Sequence, residues 1–384
     1  MKILFFNYEY PPLGGGAANA TNYLLQEFSK IPDLEVDLVT SSIDEKYHLD
    51  KIGKNISIHR LPIGKNSSNL HFQSQKDLLI YSWKAYFFSR KLLQKKKYDL
   101  SHSFFSVPCG FISLILKMEF GLPYVVSLRG SDVPGYSDRF GFMYAILTPV
   151  IKYIWKKAEA VVSNSDGLKE LALKASPEQE IGIIYNGIDI DRFRPNLDKK
   201  TTENFIITPG ASRITKRKGL DYLIRAVASL LSKYPQIILK IMGEGNEKEN
   251  LIALTAELKI EKNVQFLGRI AREKTAQYYQ EANVFVLPSF NEGMSNAMLE
   301  ALAVGLPLIA TETGGTKELI KENKNGFTIL MGDSFDLAEK IEKLIKDQAL
   351  CIQMGQESRK LAEGMSWQEV AEQYFQVYKK VKNS

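Results

Sequence analysis

Hydrophobic positions along the chain recur in two alternating spacings. Short runs dense in β-branched and aromatic residues, KILFFN, LEVDLVT, NISIHR, YDLSHS, PYVVSL and AEAVVSN, predict strands across the first half. Between them apolar residues return every three or four positions, which predicts helices over 18–28, 78–95, 107–118, 142–157 and 166–174. Repeated strand and helix implies βαβ units and a mostly parallel sheet. The stretch YNGIDIDRFRPNLDKKTTEN, 185–204, breaks the pattern: it is polar, holds Pro195 and has no period, so it reads as a linker. A second alternation follows. NFIITPG, IILKIMG, NVQFLG, NVFVLP and LPLIAT predict strands, with helices over 220–233, 247–258, 274–281 and 296–304. The expected fold class is α/β: two Rossmann-like domains with parallel sheets, a cleft between them, and ligands beyond the carboxyl ends of the strands.

Composition fits this reading. A chain of 384 residues, 45% hydrophobic and 24% charged, is long enough for two globular cores. Cys109 and Cys351 lie far apart, and His48, His59, His71 and His102 do not cluster, which argues against a disulfide framework or a zinc site and for a reducing, cytoplasmic setting. No apolar run reaches the roughly 18 residues of a membrane span, and MKILFFN is too short for a signal peptide.

The net charge of +6 is unevenly spread. Between Lys76 and Lys97 seven basic residues face one acid, Asp77, among Tyr81, Trp83, Tyr86, Phe87 and Phe88; a similar piece runs from Arg139 to Lys157 with four basic residues and no acid. Such helices suit either ordinary solvated lysines or an anionic membrane surface, and both readings stay open here. Nucleic acid is not expected, because no recognition motif accompanies the charge.

Several loops carry candidate chemistry. Gly14, Gly15 and Gly16 precede a helix, where free N–H groups and the positive dipole end favour an anion; the run matches neither the dinucleotide fingerprint nor the P-loop. In SRITKRKG, Arg213 and Lys218 frame a basic loop suited either to a diphosphate or simply to water. Gly243 and Gly245 flank Glu244 after a strand, and Gly314 and Gly315 follow another. In FNEGMSNAMLEALAVGLP, Glu292 and Glu300 stand eight positions apart, and Glu300 is the only charged residue from Ala297 to Ala310. A lone carboxylate in apolar surroundings costs several kcal/mol unless donors meet it. Those donors come either from a core arginine or from a ligand, such as ribose hydroxyls lying beside phosphates held by the amides of Met294, Ser295 and Asn296.

Taken together, PPLGGG, SRITKRKG, GEG, EGMSNAMLEALAVGLP and TGGTKEL resemble the retaining glycosyltransferases of family 4, also called glycosyl transferases group 1, of GT-B fold. The resemblance covers essentially the whole chain. It implies an N-terminal acceptor-binding domain over 1–190, a linker over 191–203, a C-terminal nucleotide-sugar domain over 204–365, and a helix over 366–384 that crosses back to the N-terminal domain. It further implies a nucleoside-diphosphate sugar as donor, a glycan or lipid-linked acceptor and no metal. By position, Glu300 would bind ribose, Arg213 and Lys218 the diphosphate, and Glu292 the donor sugar. Met294, Ser295 and Asn296 would lie near sugar or phosphate, with Gly243 and Gly245 beside the base and Gly15 and Gly16 over the donor. One departure stands out: SLRGSDV carries Arg129 where many members have a histidine, with Asp132 retained. Arginine cannot serve as a general base, which leaves Arg129 to steady sugar or phosphate, with His102 and Asp132 as acceptor-side candidates. A nucleotide-sugar epimerase, a soluble-acceptor sugar synthase and a non-catalytic nucleotide-sugar-binding protein are the alternatives.

Overall fold

A computed structural model describes residues 1–64, 70, 73–136, 141–196, 203–210, 213–290 and 294–383, with the side chains of 141–143 and 145 left out. The chain forms two compact units, one of Met1–Asn186 with Trp367–Ser384 and one of Gly187–Ser366.

The first unit begins β1 (Lys2–Phe6), α1 (Gly16–Phe28), β2 (Glu35–Ser41), β3 (His48–Ile52), β4 (Ile56–Leu61) and α2 (Gln75–Lys95). It continues β5 (Leu100–Phe104), α3 (Phe111–Phe120), β6 (Tyr124–Leu128), α4 (Gly141–Lys157), β7 (Ala160–Ser163), α5 (Asp166–Ala175) and β8 (Gly182–Ile183). These strands make one sheet in the order β3-β4-β2-β1-β5-β6-β7-β8, parallel throughout except for β3 against β4.

The second unit opens with β9 (Phe205–Thr208), α6 (Leu220–Leu230), β10 (Ile237–Met242), α7 (Lys248–Glu257), β11 (Val264–Gly268) and α8 (Arg272–Glu281). Then come β12 (Val284–Leu287), α9 (Asn296–Val304), β13 (Leu308–Thr311), α10 (Thr316–Leu319), β14 (Gly326–Ile329), α11 (Ser334–Lys346) and α12 (Gln348–Glu363). Its sheet is wholly parallel in the order β11-β10-β9-β12-β13-β14. The order reverses between β9 and β12, so the crevice beyond the carboxyl ends of those two strands is where such a sheet takes a ligand.

α13 (Trp367–Asn383) returns to the first unit and buries Trp367, Val370, Ala371, Tyr374, Tyr378 and Val381 in its core. Trp367 stacks on Tyr23 of α1 at 5.2 Å. The expected linker is not loose where it is described: Phe193 is buried, and Arg359 donates to the carbonyls of Ile190 and Phe193 within the second unit.

The sequence patterns leave β8, β14, α10, α11 and α12 unpredicted, and two further elements depart from expectation. The helix predicted from residue 107 starts at Phe111, after an irregular turn over Ser106–Gly110, because Pro108 pushes Val107 into extended backbone at φ −131, ψ 131. The strand β3 escapes sequence reading because HLDKI is exposed and has no apolar alternation.

Candidate active site

Three loops leave the carboxyl ends of β9, β10 and β12 and are bonded to one another. The Ile214 amide donates to the Glu244 carbonyl at 3.0 Å, and the Phe290 amide donates to the Arg217 carbonyl at 2.8 Å. Side chains are excluded at two of these crossings. A Cβ on Gly245 would stand 1.9 Å from the Ile214 carbonyl oxygen, and one on Gly219, at φ +61, would stand 2.1 Å from that of Pro288. The Gly243 amide donates to the Gly268 carbonyl at 2.7 Å and ties the start of the β10 loop to the end of β11. Backbone contact thus gathers Arg213, Lys218, Gly243, Gly245 and the start of α9 at the sheet's switch point. Arg213 is exposed, while Lys218 is buried at the end of a 3-10 turn over Lys216–Lys218.

The Ser295 hydroxyl caps α9 by accepting from the Met298 amide at 3.4 Å. Met294 and Ser295 are buried and Asn296 is exposed. Glu292 lies outside the described residues. Glu300, one turn into α9, is half-buried, and its carboxylate accepts from the Tyr279 hydroxyl in the field of Arg272 and Arg192. Burial, the dominant influence, lifts its pKa to about 7, against the pull of Tyr279 and the two arginines. Of the two sources left open for the partner of this acid, the protein itself supplies a donor, Tyr279, and the charge of two arginines. The buried Nη2 of Arg192 has no hydrogen-bond partner. Tyr279 and Arg192 were missed because REKTAQYYQE and the linker read as ordinary helix and loop; no sequence signal marked them.

In the first unit Gly15 is the N-cap of α1, and its amide donates to Glu9 at 3.4 Å. A Cβ on Gly15 would meet nothing within 4 Å, and both Gly15 and Gly16 are exposed where the chain passes from β1 into α1. Arg129, just past β6, lays its guanidinium 3.5 Å over the Phe104 ring and donates to Asn186 Oδ1 at 2.8 Å. Its Nε is buried without a partner, and burial pulls its pKa down. Asp132 accepts from the amides of Arg129, Gly130 and Ser106 and from the Ser106 hydroxyl, at 2.8–3.0 Å. Those bonds spend both carboxylate oxygens on shaping the loop.

His102 requires a correction. It is fully buried and stacked 4.5 Å from Phe5; Nε2 is bonded to Ser127 Oγ and Nδ1 to Tyr378 Oη, each at 2.7 Å. Burial drives its pKa well down. With both ring nitrogens engaged and no exposed surface, it ties α13 to the sheet and does not face an acceptor.

Among the described residues no three His, Cys, Asp or Glu side chains gather as a metal ion needs, and no helix is long and apolar enough to cross a membrane.

Comparison with known proteins agrees with this architecture. The family model described as Glycosyltransferase Family 4 matches residues 14–192, and that described as Glycosyl transferases group 1 matches residues 189–361. The chain is 25% identical over 382 residues to an uncharacterized glycosyltransferase of Methanocaldococcus jannaschii, with 99% of each covered. Sucrose-phosphate synthase from Thermosynechococcus elongatus has the same fold, with a TM-score of 0.82 at 22% identity over 99% of this chain and 98% of that one. Anabaena HepE, solved in complex with UDP, gives 0.78 at 20% identity over 99% of this chain and 100% of the other. Two family matches that together run from residue 14 to 361, on two parallel-sheet units of this topology, mean that the chain belongs to the GT-B glycosyltransferases of family 4 and group 1 and is a glycosyltransferase.

Proposed function

We propose that the protein transfers a sugar from a nucleoside-diphosphate sugar to an acceptor hydroxyl, retaining the anomeric configuration and using no metal. The observation that carries this reading is the convergence of three strand-end loops on the start of α9, with Glu300 one turn inside it. In this reading the Glu300 carboxylate accepts from the ribose hydroxyls. Arg213, Lys218 and the amides of Met294, Ser295 and Asn296 hold the diphosphate, and the base packs against the backbone of Gly243 and Gly245. Negative charge develops on the leaving diphosphate in the transition state, where fixed cations and a helix N-terminus stabilise it most. Glu292 is assigned to the donor sugar. In the first unit Gly15 and Gly16 offer exposed backbone at the start of α1, and Arg129 offers a cation, to sugar or phosphate. The acceptor is a lipid-linked or surface-glycan intermediate. HepE was solved with UDP, which makes UDP-sugars the first donors to try.

The test is a screen of nucleotide sugars for binding and slow hydrolysis, with and without EDTA. Loss of a charge-assisted contact of roughly 1.5–3 kcal/mol makes Glu300→Gln bind about 10- to 100-fold more weakly. Folded Glu300→Gln and Lys218→Ala proteins that bind and turn over like the parent would sink the assignment.

A further inference from the structure

Among the described apolar side chains, those along α2 are unusually exposed for a helix packed on a sheet. The helix spends Tyr81, Ala85 and Ser89 on the interior. One ridge of residues four apart, Leu79, Trp83 and Phe87, turns to solvent, with Leu79 72% and Trp83 69% exposed and the Trp83 and Phe87 rings 4.6 Å apart. The same ridge continues into Lys91 and Lys95, and Lys84 lies alongside, all three exposed. From Leu78 to Tyr98 the chain has no acid. A groove of about 520 Å³ opens beside the ridge, floored by Tyr47, Leu61 and Phe88 and rimmed by Lys84 and Lys91.

The second basic aromatic segment is built differently. α4 turns Ile151, Ile154 and Trp155 into the core and leaves Ile146 and Tyr153 exposed, without, among its described residues, a continuous ridge of apolar residues four apart like that of α2. Lys84 Nζ donates to the Pro62 carbonyl at 2.6 Å, just past the carboxyl end of β4. The ridge therefore starts at the sheet edge where Gly15 and Arg129 also lie.

We infer that the Leu79–Trp83–Phe87 ridge of α2, with Lys84, Lys91 and Lys95, docks on an anionic lipid bilayer, the aromatic side chains entering the headgroup layer and the lysines meeting lipid phosphates. A convex ridge of large apolar groups bordered by Lys84, Lys91 and Lys95, with the neighbouring Glu119 paired to Arg90, matches a surface that is apolar beneath and anionic above. None of these residues has a role in the proposed transfer, so failure of this inference and failure of that reading are distinguishable.

The protein contains three tryptophans, and Trp155 and Trp367 are buried, so Trp83 is a built-in reporter. The probes are vesicles of phosphatidylcholine alone or mixed with phosphatidylglycerol. Mixed vesicles sediment the protein, shift Trp83 emission to the blue and, with brominated acyl chains, quench it; phosphatidylcholine vesicles bind far less. Neutralising Lys84, Lys91 or Lys95 to Gln weakens binding about fivefold each, and added salt weakens it further. Trp83→Phe sediments but loses the shift, and donor hydrolysis by these variants stays at the parent rate. The inference is overturned by no binding to mixed vesicles, by equal binding to both compositions, or by sedimentation with no change at Trp83. It is also overturned if Trp83 becomes protected by self-association of the chain without vesicles, which would make the ridge a contact between copies.

Discussion

At Glu300 a pKa of about 7, against an ordinary 4.5, means that the folded protein holds the proton more tightly than the unfolded chain. The sign follows: this group's contribution to stability is fully present below about pH 4.5 and is lost as pH rises through 7. Ribose hydroxyls donate to the ionised form, so nucleotide-sugar affinity should weaken as pH falls below 7 and proton release should accompany binding. Calorimetry in buffers of different ionisation enthalpy reads that release; Glu300→Gln should abolish it and flatten the pH profile, and an unchanged profile would contradict the ribose assignment. A second residue-scale expectation concerns Gly245. Its Cβ would overlap the Ile214 carbonyl at 1.9 Å, so Gly245→Ala must push the β9 and β10 loops apart. We expect donor affinity to fall at least tenfold while the sheet stays folded, as circular dichroism with equilibrium binding would show. The partner of Glu300 was illegible in the sequence because Tyr279 stands 21 positions away on another helix. Spacing reveals which face a residue occupies and says nothing of what packs against that face.

At the scale of elements, strand and helix order was readable because alternating period-two and period-3.6 patterns leave little choice of architecture. The turn at Ser106–Gly110 yields to the local rule for residues before proline, and β3 to the absence of any pattern. α9 is short and starts with a capping serine. Ser295→Ala should cost about 1 kcal/mol, seen as a fall of a few degrees in the melting of the Gly187–Ser366 unit. A larger loss would mean that Ser295 does more than cap. α13 gives the sharper case. The Tyr378 hydroxyl meets His102 Nδ1 across 276 positions of sequence. Tyr378→Phe leaves that buried nitrogen unpaired and should cost about 1–3 kcal/mol in urea unfolding, with donor binding unchanged.

For the molecule as a whole, two units with separate cores should melt separately. A nucleotide that binds only the Gly187–Ser366 unit raises the melting temperature of that unit and leaves the other transition where it was; at one hundred times Kd the gain is about 2.7 kcal/mol. Scanning calorimetry with and without UDP distinguishes this from a ligand that shifts both transitions equally. The two-domain plan was open to sequence reasoning because the linker interrupts the period. The pairing of α13 with the first unit came only from family resemblance, since no amphipathic pattern names its partner.

That pairing has a consequence for synthesis. A ribosome finishes every residue of the Gly187–Ser366 unit before it begins α13. The nascent first unit must therefore wait with the groove for Trp367, Tyr374 and Tyr378 unfilled, and His102 has no Tyr378 to bond, while 180 intervening residues emerge. Translation order makes the later-encoded unit the one able to fold first to completion.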